Sequence, residues 1–373
     1  MKLAIISPFP PYRGGISKET EVLYNSLKKK HNVTVYSFKR LYPNIIFPGK
    51  SQFLDNYSSP NSIRSIDSMN FFSWIKTAKL INEGIYDKII FRFWHPFLSP
   101  IYSYIISAIK KKDSNIKIYC ICDNVYPHEK TILDTFLLKF LFKRVDRFLT
   151  MSPITTSQII QINSKSNVSE MFLPVKDIFD KKISKNDACQ KLNIDNKFNI
   201  LFFGLIRPYK GLDTALKAMK GLIQANKNFH FIIAGECYEN KNKYLSIIEN
   251  NNLDDYVTWH NKYIDDDKLH LYFSACDLVL LPYKQTSQSG IIPIAYNFNK
   301  PVVISNLIGL KEFINPETGY LFEPDNYNDL TNLLIHIIST YNYVKFEKNI
   351  EIYKETFSIK RLNILIEELL NEQ

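Results

Sequence analysis

In "NILFFGLIRPYKGLDTALKAM", Asn199–Met219, an apolar run from Ile200 to Phe203 stops at Gly204, and Arg207, Pro208, Lys210 and Gly211 follow at once. Leu212, Ala215, Leu216, Met219 and Leu222 then recur at the three-and-four spacing that lines one face of a helix. A buried strand followed by an amphipathic helix is the unit from which helix-covered parallel sheets are built. The loop between them lies at the carboxyl end of the strand, where such sheets bind ligands. Unpartnered amides at a helix start attract an anion, and glycines let the backbone come close to it. Arg207 adds a fork of donors and Lys210 a mobile point charge. The loop reads as a phosphate or diphosphate site; the plain structural alternative is an exposed turn with incidental basic residues.

A second loop repeats the pattern. "LVLLPYKQTSQSGIIPIAYNFNKPVVIS", Leu278–Ser305, is strand, polar loop, helix and strand, with Ser287, Ser289 and Gly290 expected to open the helix. Near the N-terminus, "PPYRGGIS" sets Gly14 and Gly15 at the start of another helix. No GxGxxG follows the first strand and no GxxxxGKS occurs, which argues against dinucleotide and P-loop binding.

Outward from these loops the alternation continues. "KLAIIS", "NVTVYSF", "DKIIFRF", "IKIYCIC" and "RFLTMS" are strands of the first half; "NILFFG", "HFIIAGE", "YVTWH", "LVLLP" and "PVVIS" are strands of the second. The fold class is α/β, and 373 residues suit two domains. Residues 41–70 lack clear periodicity and suggest an irregular insertion, and residues 173–198 suggest a linker. "ETFSIKRLNILIEELLNEQ" is an amphipathic helix with Leu362, Leu365, Ile366 and Leu369 on one face.

Charge is uneven: residues 1–190 hold 28 Lys and Arg against 15 Asp and Glu, while residues 191–373 hold 19 against 22. A basic first half suits an anionic partner such as a membrane surface or a lipid-linked phosphate. The runs "SLKKK" (Ser26–Lys30) and "AIKKK" (Ala108–Lys112) are the expected contacts. Nucleic acid is disfavoured, because the lysines are scattered rather than interleaved with aromatics. The five cysteines show no metal spacing and read as small buried hydrophobes of a reduced, cytoplasmic protein, and no signal peptide opens the chain. In "FWHPFLSPIYSYIISAI", Phe93–Ile109, two prolines and a histidine argue against a membrane span. A loop and helix are expected there, with an Ile/Tyr face that touches a membrane without crossing it.

Together the "GG" loop, "FFGLIRPYKGLDTALKAM", "IIAGE", "DLVLLPY" with "SQSG", and "KPVVISNLIGLKEFI" with "ETGYLFEP" resemble the GT-B glycosyltransferases. Within them the chain is similar to glycosyltransferase family four, retaining enzymes that use nucleotide sugars. "RFWHPFLSP" and "DNVYPHE" resemble a bacterial surface-polysaccharide subgroup. The resemblance implies two Rossmann-like domains with parallel sheets facing a central cleft. Residues 1–178 are then an acceptor-side domain, 179–355 a nucleotide-sugar-binding domain, and 356–373 a helix packing back toward the first. It implies a nucleotide-sugar donor and a glycan or lipid-linked acceptor, with no cofactor and no metal. The leaving diphosphate takes up the acceptor's proton, and the protein stabilises the charge that develops on it.

The residues expected to act in catalysis are Arg207, Lys210, Asp123 and His128. Those expected to bind substrate are Gly14, Gly15, Asn124, Glu129, Trp94, His95, Glu236, Ser287, Gln288, Ser289, Gly290 and Ile291. Two departures stand out. The family's paired glutamates around the second loop are Thr286 and Ile294 here, and Asp123 occupies a strand end where a histidine is frequent. A nucleotide-sugar 2-epimerase of the same fold and a non-enzymatic two-lobed sugar-binding protein are the rival functions. The enzyme is expected in the cytoplasm, peripheral on the inner face of the plasma membrane.

Overall fold

A computed structural model describes residues 1–43, 51–54, 61–126, 131–175 and 181–372. The chain divides into two compact units, Met1–Phe172 with Leu365–Gln373, and Leu173–Ile364.

The first unit is built on a seven-stranded parallel sheet. Its strands are β1 (Lys2–Ile6), β2 (Asn32–Arg40), β3 (Ser62–Asp67), β4 (Lys88–Phe93), β5 (Lys117–Cys122), β6 (Arg147–Thr150) and β7 (Val168–Glu170), in the order β3-β2-β1-β4-β5-β6-β7. The second unit has a six-stranded parallel sheet: β8 (Phe198–Phe203), β9 (Phe229–Ala234), β10 (Val257–His260), β11 (Leu278–Leu281), β12 (Val302–Ser305) and β13 (Gly319–Phe322), in the order β10-β9-β8-β11-β12-β13. Helices cover both faces, so central strands are apolar on both sides; β1, β4, β5, β8, β9 and β11 are buried along nearly their whole length. In both sheets the strand order reverses direction once, between β1 and β4 and between β8 and β11. At such a point the loops on either side diverge and leave a crevice at the strands' carboxyl ends. The loops 204–211 and 282–290 flank it in the second unit.

The helix Leu212–Ala225 lies on that sheet through Leu212, Ala215, Leu216, Met219 and Leu222, all with no exposure. Each such burial contributes roughly 1.5–3 kcal/mol before entropy is counted, which fixes the loop ahead of it. The C-terminal helix Ile359–Asn371 buries Leu362, Ile366 and Leu370. Its end belongs to the first unit: Lys88 Nζ donates to the carbonyls of Leu370 (2.7 Å) and Glu372 (3.1 Å), and His31 Nε2 meets Glu367 at 3.0 Å.

Several expectations are corrected. Strand β3 lies inside the segment 41–70; as an edge strand it buries only Ser65 and Ile66, so no apolar run announces it. The linker 173–198 contains the helix Lys185–Leu192, whose buried face is just Ala188 and Cys189. The helix of the second loop opens at Ile291, after Ser287 and Ser289 rather than with them. The Ile/Tyr face of the helix Ser99–Lys112 (Ile101, Tyr102, Ile105, Ile106, Ile109) is core and meets no membrane. Among the described residues no helix is long and apolar enough to cross a membrane.

One glycine holds the crevice together. Gly211 has φ +69°, and a Cβ on it would stand 1.8 Å from the carbonyl oxygen of Pro282 in the neighbouring loop. Gly211→Ala therefore combines left-handed strain, about 1–2 kcal/mol, with a backbone collision. A loss of more than about 2 kcal/mol is expected in denaturant unfolding of the second unit. Gly290→Ala, where nothing lies within 4 Å of the added Cβ, is expected to stay within about 1 kcal/mol of the parent.

Candidate functional site

The strand ends of the second unit place its loops. Phe203 pairs with Ala234 at the ends of β8 and β9, so Gly204 and Gly235 abut; a Cβ on Gly235 would lie 2.0 Å from the Gly204 oxygen. Beyond them the loop 204–211 is tied on one side to residues 236–238, with Ile206 N donating to Glu236 O (2.9 Å) and Tyr238 N to Ile206 O (3.0 Å). On the other side Lys284 N donates to Tyr209 O at 2.7 Å. Side chains reinforce the second tie. Lys284 Nζ lies 3.0 Å from both Asp213 Oδ2 and Asp325 Oδ1, and Thr214 Oγ1 donates to Asp325 at 2.7 Å. Hydrogen bonding from Thr214 and then Lys284 holds the Asp325 carboxyl below its usual range.

The other two cations of this crevice have no such partners. Among the described residues no carboxylate pairs with Arg207 or Lys210. Arg207 lies over the Tyr238 ring at 5.2 Å, and Lys210 Nζ lies over the Tyr283 ring at the same distance. Lys210 Nζ folds back on the glycine turn: a Cβ on Gly204 would meet it at 3.0 Å and Ile291 Cδ1 at 3.7 Å. Burial depresses the Lys210 pKa, and the Arg207 cation pushes the same way, against an opposing pull from Tyr209. Two cations, one of them desolvated, face each other without a counter-charge. The arrangement lowers its energy when an anion arrives. The helix start behind them is uncapped by any side chain, and its first-turn Asp213 is drawn aside by Lys284.

The second loop supplies the opposite wall. Ser289 is buried, with Oγ accepting from Ile291 N (3.3 Å) and 3.4 Å from the Tyr283 hydroxyl. Burial pushes the Tyr283 pKa up to about 12, so the phenol stays protonated. Thr286 Oγ1 donates to Gln288 O (2.7 Å) and accepts from Gln288 N (3.3 Å), a turn that shapes the loop. Ser287 packs against the short helix Ile308–Lys311, where a Cβ on Gly309 would meet its carbonyl oxygen at 2.2 Å. Gly290 is exposed; Glu236, Gln288, Ile291 and Ile294 are half-buried. Lys210 and Ile291 thus meet at Gly204, Ser289 is joined to Ile291 through its hydroxyl, and Arg207 lies toward Tyr238 on the side of the loop tied to Glu236.

In the first unit, Gly14 and Gly15 are exposed at the start of the helix Gly15–Leu27, and nothing lies within 4 Å of a Cβ on either. Trp94 Nε1 donates to the Tyr42 hydroxyl at 2.8 Å, and its ring packs on the core. His95 caps the turn Pro96–Leu98, its Nδ1 accepting from Phe97 N (3.1 Å), and burial lowers its pKa against an opposing pull from Asp134. Asn124 is half-buried beside them. His128 and Glu129 lie outside the described residues. Asp123 accepts two 2.7 Å bonds from Arg92, with both side chains almost wholly buried. The carboxylate expected to act in catalysis is thus held in a buried ion pair at the start of the loop that follows β5. The lysine runs are also engaged: Lys110 pairs with Asp146 (2.8 Å), Lys112 donates to Asn82 O (2.7 Å), and Lys30 lies 3.9 Å from Glu367.

Arg92, Lys284 and Tyr283 escaped the sequence reading. Arg92 carried a signal, since a charge inside "KIIFRF" requires a buried partner. Lys284 and Tyr283 carried none, because their roles depend on which loop lies opposite.

Residues 197–340 match the family model described as Glycosyl transferases group 1. Over 128 residues the chain is 29% identical to a GDP-mannose:glycolipid 4-beta-D-mannosyltransferase of Xanthomonas campestris pv. campestris, covering 33% of this chain and 36% of that protein. The match thus spans about a third of the relative's length. Among solved structures, sucrose-phosphate synthase from Thermosynechococcus elongatus superposes with a TM-score of 0.77 at 17% identity, covering 99% of this chain and 98% of that one. A glycosyltransferase from Rickettsia africae ESF-5 gives 0.76 at 18%, covering 100% and 99%. Anabaena HepE in complex with UDP gives 0.74 at 16%, covering 99% of each. The chain has the GT-B fold, and residues 197–340 of its second unit resemble the glycosyl transferases group 1 family.

The Arg92–Asp123 pair makes a prediction that separates structure from chemistry. Asp123→Ala leaves a buried guanidinium uncompensated and is expected to cost about 3–5 kcal/mol of stability. The double variant Arg92→Met/Asp123→Leu is expected to recover most of it. Denaturant unfolding decides: an Asp123→Ala protein as stable as the parent would show that the pair does not support the fold.

Proposed function

We propose that this chain, a GT-B protein whose second unit resembles the glycosyl transferases group 1 family, transfers a sugar from a nucleoside-diphosphate donor to a glycan or lipid-linked acceptor with retention at the anomeric carbon. One observation carries the proposal: Arg207 and Lys210 stand on one loop at the strand ends, and no carboxylate among the described residues neutralises either of them. A diphosphate brings the charge that this crevice lacks. The printed names of similar proteins support a nucleoside-diphosphate donor, one being a GDP-mannose:glycolipid 4-beta-D-mannosyltransferase and another a structure bound to UDP. They do not bear out retention, since a β-mannoside formed from an α-configured donor is a product of inversion.

In the proposed reaction the bond from the anomeric carbon to the diphosphate oxygen breaks as the acceptor hydroxyl attacks from the same face. The acceptor's proton passes to the departing phosphate oxygen, so no protein base is needed. Negative charge grows on the diphosphate as the bond lengthens, and Arg207 and Lys210 stabilise that charge more than the ground state. The amides of Ser289 and Gly290 complete the cradle. Two fixed cations supply the neutralising charge that a divalent ion provides elsewhere, so the proposed enzyme works without metal.

Arg207→Ala and Lys210→Ala are each expected to lower kcat/KM by roughly tenfold to a few hundredfold, the loss of one charge-assisted contact that strengthens as the leaving group departs. The Lys210→Ala protein should be at least as stable as the parent, because a desolvated cation has been removed. Transfer is measured with labelled donor in EDTA, where the parent should keep its rate. Near-parental transfer by both variants would overturn the diphosphate assignment, and loss of parental activity on chelation would overturn the metal-free one.

A further inference from the structure

The helix Ile132–Phe142 of the first unit turns an apolar face outward. Ile132 is 93% exposed, Leu133 65%, Phe136 68% and Phe140 43%. At 3.6 residues per turn these four fall within an arc of about 100°. The opposite side, Leu138, Leu141 and Phe142, is fully buried and satisfies the core. The outward ridge therefore contributes nothing to folding of this unit.

Its borders are cationic. By the same helical spacing Lys139 borders the ridge on one side and Arg144 on the other, while Lys143, at the helix end, continues the ridge itself. Lys143 Nζ is 4.9 Å from the Phe140 ring centre and the Arg144 guanidinium 3.8 Å. The helix's one acid, Asp134, is folded into its own cap, accepting from the Thr131 amide and hydroxyl at 2.8 Å. A second exposed apolar group lies in the same helical layer: Met69, Phe71, Phe72 and Ile75, beside the exposed Lys76 and Lys79. The helix Ser99–Lys112 links the two, with Tyr104 against Phe71 (4.7 Å between ring centres) and Ser107 accepting from Arg144 Nε (2.7 Å).

We infer that the helix Ile132–Phe142 is the surface by which the first unit docks on an anionic lipid bilayer. Apolar knobs bordered by cations, with the only acid withdrawn, complement an interface whose phosphates overlie acyl chains. The excess of 28 basic over 15 acidic residues in the first half adds long-range attraction. Ile132, Leu133, Phe136 and Phe140 enter the acyl boundary, while Lys139 and Lys143 sit at the phosphates and Arg144, bonded to Ser107 and to the Phe140 carbonyl, holds the helix end. Of the lysine runs that the sequence suggested, Lys110 and Lys112 are engaged within the fold, while Lys28, Lys29 and Lys111 are exposed and add to the positive field. Docking here deepens the lipid-linked acceptor proposed above, but its test does not require sugar transfer.

Co-sedimentation is measured with phosphatidylglycerol-containing vesicles and with pure phosphatidylcholine vesicles. The parent is expected to bind the anionic vesicles at low salt and to release as salt approaches about 0.5 M, where the Debye length is only a few ångströms. Ile132→Ser/Leu133→Ser/Phe136→Ser should lower partitioning at least tenfold at every salt concentration. Lys139→Ser/Lys143→Ser should lower it about fivefold per cation on the anionic vesicles. All five positions are exposed, so thermal unfolding and the stabilisation by added UDP or GDP should match the parent in both variants. Parental binding by the triple variant, or a parent indifferent to both vesicle types, would overturn the assignment. So would a parent that dimerises through this ridge in solution and becomes monomeric in the triple variant.

Discussion

The close approach of Gly211 to the Pro282 carbonyl is the constraint on which the second unit's site depends. No side chain fits between the two loops there, so the end of one ligand-facing loop is fixed against the start of the other. Lys284 then bridges Asp213 and Asp325 across the same gap. With both loops immobilised, the Lys210 ammonium pairs with no acid among the described residues and lies over Tyr283 instead. The position of the unpaired charge is thus a consequence of backbone packing.

Charges in the two units are handled in opposite ways. In the first, Arg92 and Asp123 bury both charges in a bidentate pair, and the fold gains a rigid joint at the end of β5. In the second, three cations stand near the crevice and only Lys284 is neutralised by acids. A protein selected for stability alone would pair all three or remove them. Leaving Arg207 and Lys210 unmatched costs stability in the unliganded chain, a cost that the proposed diphosphate would offset.

Much of this was legible in the chain. Uniformly apolar strands and three-and-four helices revealed parallel α/β architecture, because central strands are buried on both faces. The loop around Arg207 and Lys210 stood out because charges and glycines between such a strand and helix have few structural uses. The edge strand β3 was hidden, since an element with one neighbour needs little apolar surface. The pairing of Asp123 with Arg92 was hidden because the two lie on different strands, and pairing between strands is not a local property. Lys284 looked no different from Lys210, and only the fold distinguishes the paired cation from the unpaired one. The outward ridge at Ile132–Phe140 was equally hidden, because apolar residues all around a short helix do not announce which face is covered.

The central claim is that two uncompensated cations hold a diphosphate, and calorimetric titration with nucleoside mono- and diphosphates of one base tests it most directly. The diphosphate should bind the parent at least tenfold more tightly than the monophosphate, roughly the contribution of one charge-assisted contact. That preference should fall as pH rises through the depressed Lys210 pKa, because the bound anion favours the protonated amine that burial disfavours. In Lys210→Met the two nucleotides should bind with nearly equal affinity at every pH. A parent that does not distinguish them, or a Lys210→Met protein that keeps the full preference, would contradict the account.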